Sequence, residues 1–209
     1  MSQTDRHKRL RLLIRKLNSQ RKQQASKIDI LCNNLISAQR AFINRLQGIS
    51  FTAQFYKSLL GSSDLTSLLE RAGRLIKQEV PGAGVTFFLR QPEGCERHTI
   101  ESDEALLPAE QGSEDCFSPE LVGSICKSNR PCTLDDLLGM DLDGGLNGLS
   151  RFSVATLPLN NLGRSLGFVL LYRRSPKVLT PEELHTISPV MCGLSQAIHC
   201  ARVPLHSGK

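Results

Sequence analysis

Residues 152–175 read FSVATLPLNNLGRSLGFVLLYRRS, and they predict a β-hairpin that is buried on both faces. The Asn and Gly residues of 160–164 suit a tight turn between two β-rich runs. A strand with one face in water shows a polar residue at every second position, and neither run does. On the second run both faces are apolar, one with Leu166, Phe168, Leu170 and Tyr172 and the other with Gly167, Val169 and Leu171. A chain with this hairpin must cover both sides of its sheet.

The first fifty residues predict a long helix with a heptad seam. Between Leu10 and Ile49 there is no proline, and apolar residues recur at alternating steps of four and three. Polar residues occupy the seam only at Arg21, Gln24 and Arg45. The apolar seam positions are Leu10, Ile14, Leu17, Ile28, Leu31, Leu35, Ala38, Phe42 and Ile49. Because 40 helical residues span about 60 Å, too long to fold back onto a small domain, we expect a coiled-coil homodimer. A helix packed within its own chain, or a helical hairpin broken near residues 18–25, is the alternative.

Charge is concentrated in the same segment. Residues 1–48 hold 11 Lys/Arg against 2 Asp/Glu, a net charge of +9, whereas the remaining 161 residues have 15 against 18, a net charge of −3. Such a basic arm can bind nucleic acid, anionic lipid or an acidic protein, although a solvated helix face has the same composition. The apolar seam continues through the basic stretch, which argues against a helix that reads a DNA groove.

The cysteines and the lack of targeting segments indicate the cellular compartment of the protein. The seven cysteines include no CxxC pair, and charged residues interrupt the N-terminus too often for a secretory signal. No apolar run approaches the roughly 20 residues of a membrane span. We expect a cytoplasmic protein with free thiols that holds no metal and no cofactor.

The remaining helices and strands are predicted from helix-capping residues and from the Pro and Gly residues that end regular structure. Ser62-Ser63-Asp64 offers cap oxygens to an amphipathic helix that ends at Pro81-Gly82, and strands are expected at 85–89 and 96–100. A looser middle contains one short helix at 119–127, capped by Ser118, and a brief strand at 132–134. Thr180 and Glu183 form a capping box for a terminal helix that is bent at Pro189.

This order of elements resembles the GAF domain, a ligand-binding and dimerising module of signalling proteins. The resemblance covers roughly 55–203 and is carried by DLTSLLERAGRLIKQEV followed by GVTFFLR, by SPELVGSICKSNRPCTLDDL, and by the opening hairpin followed by TPEEL. It implies an α+β fold in which a central antiparallel sheet has helices on one face and a loop and helix lid on the other. The organisation is then a basic coiled-coil helix at 1–54, a GAF-like domain at 55–203 and a disordered tail at 204–209.

The same resemblance places a ligand pocket between the sheet and the middle segment. Bulky Phe168 and its neighbours suit the face under the helices, so the face with smaller residues is expected to form the pocket floor. The expected ligand-binding residues are Phe88, Ser153, Ala155, Leu157, Val169 and Leu171. Alternatively, the pocket space is filled by the middle-segment side chains Leu137, Leu138, Met140 and Leu142.

Motifs of the enzymatic and chromophore-binding relatives are absent. The Asn-Lys-Phe-Asp-Glu signature of cyclic-nucleotide binders and the bilin motif do not occur. The related methionine sulfoxide reductases place a cysteine just ahead of the strand near Arg151, where this chain has Leu149-Ser150. Asp135 and Asp136 suit a turn or cap better than a metal site.

The sequence therefore predicts a non-enzymatic signalling module that senses a small molecule. We expect it to dimerise through its N-terminal helix and its terminal helix. Because no effector domain follows residue 209, its output is expected through the coiled coil or a signalling partner protein. The alternative is a dimerisation scaffold without ligand, whose basic arm binds nucleic acid or another anionic partner.

Overall fold

The computed structural model describes residues 3–62, 64–92, 94–100, 117–140, 149 and 151–202. They fall into two compact units, Met1–Ile49 and Ser50–Lys209. The expected lid residue Leu142 and the expected C-terminal tail lie outside the described residues.

The first unit is helical throughout its described length. It belongs to helix α1 (Gln3–Leu59), which confirms the long helix and extends it beyond the heptad pattern at both ends. The seam residues are exposed along this helix, with Leu31 at 66% and Leu35 at 69% of their full accessible area. None of the described helices is both long and apolar enough to cross a membrane.

A five-stranded antiparallel sheet forms the centre of the second unit. Its strands are β1 (Gly84–Gln91), β2 (Gly94–Ile100), β3 (Cys132–Thr133), β4 (Phe152–Asn161) and β5 (Arg164–Arg174), in the order β2-β1-β5-β4-β3. The hairpin expected at 152–175 is β4–β5, and its turn is Leu162–Gly163. Both turn residues have positive φ, 49° and 80°, as the tightest hairpin turn requires.

One face of the sheet is covered by helices from both ends of the unit. They are the last turns of α1 together with α2 (Leu65–Glu79), α5 (Pro181–Ile187) and α6 (Val190–Arg202). Phe51 and Phe55 of α1 are buried in this layer. The strand residues in the same core are Val85, Phe87, Leu89, Ala155, Leu157, Leu159, Val169 and Leu171.

The opposite face is covered by two helices of the middle segment, α3 (Pro119–Ser128) and α4 (Leu134–Met140). Phe88, Val154, Phe168, Leu170 and Tyr172 pack beneath them. Both faces of the hairpin are therefore buried, as expected, but the assignment of the faces was wrong. Phe168, Leu170 and Tyr172 of β5 face the middle segment. Val169, Leu171 and the half-buried Leu166 face the terminal helices.

Local signals place most helix ends correctly. Asp64 caps α2 by accepting a 2.8 Å hydrogen bond from the Ser67 amide, and Ser118 caps α3. The expected single terminal helix is instead two helices separated at Ser188-Pro189. Helix α4 was not expected, although Asp136 marks its first turn by accepting hydrogen bonds from the amide and hydroxyl of Thr133.

Glu183 joins the α5 cap to the sheet. The Thr180 amide donates to Glu183 Oε2 at 2.8 Å, completing the predicted capping box, and Arg173 Nη2 on β5 donates to Oε1 at 2.8 Å. Burial raises the pKa of Glu183, but the hydrogen bonds from Arg173 and Thr180 outweigh it, so the pKa lies below the ordinary 4.5. The ionised carboxylate is therefore the form that stabilises the fold.

Replacing Glu183 by glutamine is expected to lower the free energy of unfolding at neutral pH by about 2 kcal/mol, because a charge-assisted pair is lost. Since the folded-state pKa is depressed, the stabilisation is present above pH 4.5 and is lost as the pH falls through the folded-state value. Urea denaturation over a pH series should thus show a flatter acid limb for Glu183→Gln. The neighbouring Glu182→Gln is the control and should keep the wild-type profile.

Candidate functional site

A cavity of about 540 Å³ lies between the β1–β2 hairpin and α3, on the face of the sheet beneath the middle segment. One wall comes from the strands and their turn, and the other from α3 and the residue before its cap. The lining residues are Phe88, Arg90, Gln91, Pro92, Gly94, Cys95, Arg97, Phe117, Pro119, Val122, Gly123, Cys126 and Lys127.

Two aromatic rings, Phe88 and Phe117, line the apolar end of the cavity, and the fully buried Phe168 supports Phe88 from behind. Phe88 of β1 stacks on Phe168 of β5, with ring centroids 4.7 Å apart and an interplanar angle of 14°. Phe117 packs against Phe88 at 5.1 Å. A flat aromatic or conjugated molecule has favourable stacking partners here, because offset ring contacts add to simple burial.

Helix α3 supplies the second wall. Its buried side packs Leu121 and Ile125 into the sheet, which fixes the adjacent side of the helix against the cavity. Gly123 lies on that cavity side, and a methyl group built on it would meet nothing within 4 Å. The cavity is therefore open where a longer side chain at Gly123 would reach.

The polar lining is cationic. Arg90 and Arg97 on the strands and Lys127 on α3 border the cavity, and the described lining includes no Asp or Glu. Guanidinium and ammonium groups at the edge of an apolar cavity favour a carboxylate, sulfonate or phosphate on the bound molecule. The site combines an apolar aromatic end with a positively charged rim.

Comparison with known proteins rests on structure alone, since no family model and no curated protein sequence matches the chain. A domain of a phosphoenolpyruvate-protein phosphotransferase from Coxiella burnetii superposes with a TM-score of 0.55 at 16% identity, over 75% of this chain and 95% of that one. That domain is a GAF domain. The second unit of this chain has the GAF fold.

Two further solved structures show what similar domains hold. A far-red absorbing protein in its dark state, with bound biliverdin, has a TM-score of 0.53 at 16% identity over 72% of this chain and 98% of that one. The fRMsr of Staphylococcus aureus, solved in complex with its substrate, has a TM-score of 0.52 at 10% identity over 72% and 95%. At these identities the likeness establishes that the second unit has the GAF fold and does not identify a ligand.

Of the six ligand-binding residues expected from the sequence, Phe88 lines the cavity. Ala155, Leu157, Val169 and Leu171 are at most 2% exposed in the core beneath the terminal helices, so their assignment to a pocket floor is corrected. The Ser153 hydroxyl oxygen is not at the cavity either. It accepts a hydrogen bond of 3.0 Å from the Leu179 amide.

The middle segment fills part of the face opposite the terminal helices. Leu137 of α4 is fully buried there and Met140 is partly buried, whereas Leu138 is 42% exposed. These side chains cover the sheet below α4, and the cavity lies instead beside α3. Neither sequence alternative, a pocket or a space filled by these side chains, applies to the face that holds Ala155 and Leu157, because the terminal helices cover it.

Two cysteines, Cys95 and Cys126, also line the cavity. Cys95 is exposed at the surface. Partial burial of its thiol, with the charges of Cys126 and Glu96 acting in the same direction, nevertheless raises the pKa of Cys95 to about 11. A raised pKa keeps the thiol protonated at neutral pH, and a protonated thiol is a poor nucleophile. The described residues contain no group of three or more His, Cys, Asp or Glu side chains that could hold a metal ion.

The cavity residues that sequence reasoning missed are the cationic ones and Gly123. The alternation of β1 carries a signal for Arg90, because it lies two residues beyond Phe88 and so on the same face of the strand. Lys127 and Gly123 belong to a helix that was expected, but a single helix does not reveal which neighbour it faces. The position of α3 beside the β1–β2 hairpin depends on the order of the strands in the sheet.

Proposed function

We propose that this chain is a non-enzymatic regulatory module whose GAF domain binds a small anionic molecule with a flat apolar part. The observation that carries the proposal is the cavity between the β1–β2 hairpin and α3. Its volume of about 540 Å³ lies within the range of small-molecule sites. The lining rings of Phe88 and Phe117 suit the apolar part of such a ligand, and Arg90 and Lys127 suit the anionic part.

Catalysis by a cavity cysteine is the enzymatic alternative, supported by the fold shared with the S. aureus fRMsr. Such chemistry needs a thiolate, and the environment of Cys95 favours the protonated thiol. Leu149 is buried in the apolar cluster beneath α3 and α4. It precedes β4, near the position where the related methionine sulfoxide reductases have their cysteine. We therefore assign the cavity to binding.

Filling the cavity from α3 tests the proposal. Gly123→Leu is expected to lower the affinity for anilinonaphthalene sulfonate, an anionic aromatic fluorophore, at least about tenfold, because the leucine occupies the space beside Phe88. The fold should remain intact, since leucine is a better helix former than glycine and its first side-chain carbon meets no other atom within 4 Å. Fluorescence titration of the purified full chain measures the affinity.

A matched variant distinguishes binding of the dye in the cavity from its non-specific adsorption to the protein surface. Gly139 of α4 also has nothing within 4 Å of its added methyl position, but it does not line the cavity. Gly139→Leu should bind the probe like the wild type, and Lys127→Gln should weaken binding more at low salt than at high salt. Equal titrations for Gly123→Leu and Gly139→Leu would rule out this cavity and leave the ligand-free scaffold.

We further propose that the output element is a homodimer formed by α1. The apolar seam from Ile28 to Ile49 is exposed, and it is interrupted only by Arg45. Burying it against a second copy removes six apolar seam residues of each chain from water, namely Ile28, Leu31, Leu35, Ala38, Phe42 and Ile49. Helix α6 is a weaker candidate for the same contact, because its apolar side, including Met191 and Ile198, is buried in the core.

A further inference from the structure

We propose that residues 6–22 of α1 form a basic amphipathic helix that lies on the surface of an anionic lipid membrane. This inference is independent of the cavity and of the seam from Ile28 to Ile49. It concerns the part of α1 in which the heptad seam coincides with the concentration of positive charge.

The apolar side of this segment is a continuous exposed stripe. At about 100° per residue, Leu10, Leu13, Ile14 and Leu17 fall within an arc of about 100°. Their exposed fractions are 59%, 58%, 49% and 58%. Leu13 is not a seam position, so the stripe is broader than the edge that a two-stranded coiled coil would bury.

Positive side chains lie along both edges of the stripe. Arg9 and Lys16 are one heptad apart on one edge, and Arg11 and Arg15 lie on the other. All four are exposed. From residue 6 to residue 28 the sequence contains no Asp or Glu. Long basic side chains at the edges of an apolar stripe can extend to lipid headgroups while the leucines enter the acyl boundary.

A second copy of the chain suits this segment poorly. Residues 6–22 carry eight Lys/Arg and no acidic partner, so two parallel copies would align sixteen like charges. Arg21 would also enter the seam itself. Repulsion of this kind opposes pairing of the basic segment, whereas anionic headgroups attract it by about 1 kcal/mol for each Lys or Arg near the surface.

Nucleic acid would bind the basic side chains of this segment but would leave its apolar stripe exposed. A phosphate backbone is contacted by Lys and Arg in proportion to charge, and it offers no apolar surface to Leu10, Leu13 or Leu17. An anionic bilayer interface offers both partners to one face of the helix. The arrangement of the apolar and basic residues therefore favours lipid.

Two adjacent leucines provide the test. Leu13 lies in the stripe, whereas Leu12 lies on the opposite side of the helix and is 64% exposed. The full chain and the variants Leu13→Gln and Leu12→Gln are sedimented with vesicles of phosphatidylcholine, with and without phosphatidylserine. We expect binding only to vesicles with phosphatidylserine, weakened about tenfold by Leu13→Gln and unchanged by Leu12→Gln.

A gel shift with duplex DNA and light scattering on the same variants complete the experiment. Leu13→Gln should leave the oligomeric state unchanged, because Leu13 is outside the seam. Equal vesicle binding by both variants, or binding to DNA without binding to vesicles, would show contact by charge alone and overturn the proposal. Absence of vesicle binding at low salt would overturn it as well.

Discussion

Replacing Leu31 and Leu35 together by aspartate is expected to convert the chain from a dimer to a monomer. Both leucines are exposed on α1 at successive seam positions, so in a dimer four leucines lose their solvent contact. Each buried leucine contributes on the order of 1.5–3 kcal/mol, and the change therefore removes at least about 6 kcal/mol. Light scattering over a range of concentrations measures the mass.

The control adds the same charges to the other side of the helix. Asn33→Asp with Ser37→Asp has the same four-residue spacing, and both positions lie away from the seam. This variant should remain dimeric. A wild-type chain that is monomeric at every concentration would show that α1 does not pair through the seam, and a dimeric Leu31→Asp, Leu35→Asp variant would assign the contact to another surface.

Replacing Gly167 by alanine is expected to destabilise the second unit by about 3–5 kcal/mol, because backbone strain and steric overlap add. Gly167 has a φ of +138°, which side chains rarely adopt, and a methyl group there would overlap the Phe88 carbonyl oxygen. Strands β1 and β5 would have to separate at the point where Phe88 enters the cavity. Urea denaturation followed by circular dichroism measures the loss.

Gly163 is the matched control for this effect. It also has a positive φ, +80°, but its added methyl group would meet nothing within 4 Å. Gly163→Ala should therefore cost about 1 kcal/mol from strain alone. Similar losses for the two variants would mean that the overlap with β1 is relieved by a small shift, and that Gly167 is required only for its backbone angle.

The elements of the fold could be predicted because each has a local cause. The hairpin follows from its turn and its apolar runs, and α5 begins where Thr180 and Glu183 form their capping box. What the sequence could not supply was the side of the sheet that each set of helices covers. Both faces of β5 are apolar, so its alternation carries no information about the covering layer.

Residue size wrongly predicted which face of the sheet each set of helices covers. The small residues Ala155 and Val169 pack with the terminal helices because α1 brings Phe51 and Phe55 into the same core. The large Phe168 faces the middle segment because it stacks on Phe88 from the neighbouring strand. In each case the partner lies far away in the sequence, so the local pattern could place the strands, but only Phe88 of the six expected ligand residues lies at the cavity.

The alternation of β1 has a consequence for how this protein can evolve. Phe88 and Arg90 border the cavity, whereas Phe87 and Leu89 between and beside them are fully buried in the core on the other side. Mutations at adjacent residues of β1 are therefore selected for different properties, either the stability of the core or the lining of the cavity. Phe87 and Leu89 are constrained by folding alone, whereas a change at Phe88 or Arg90 would also alter the lining of the proposed ligand cavity.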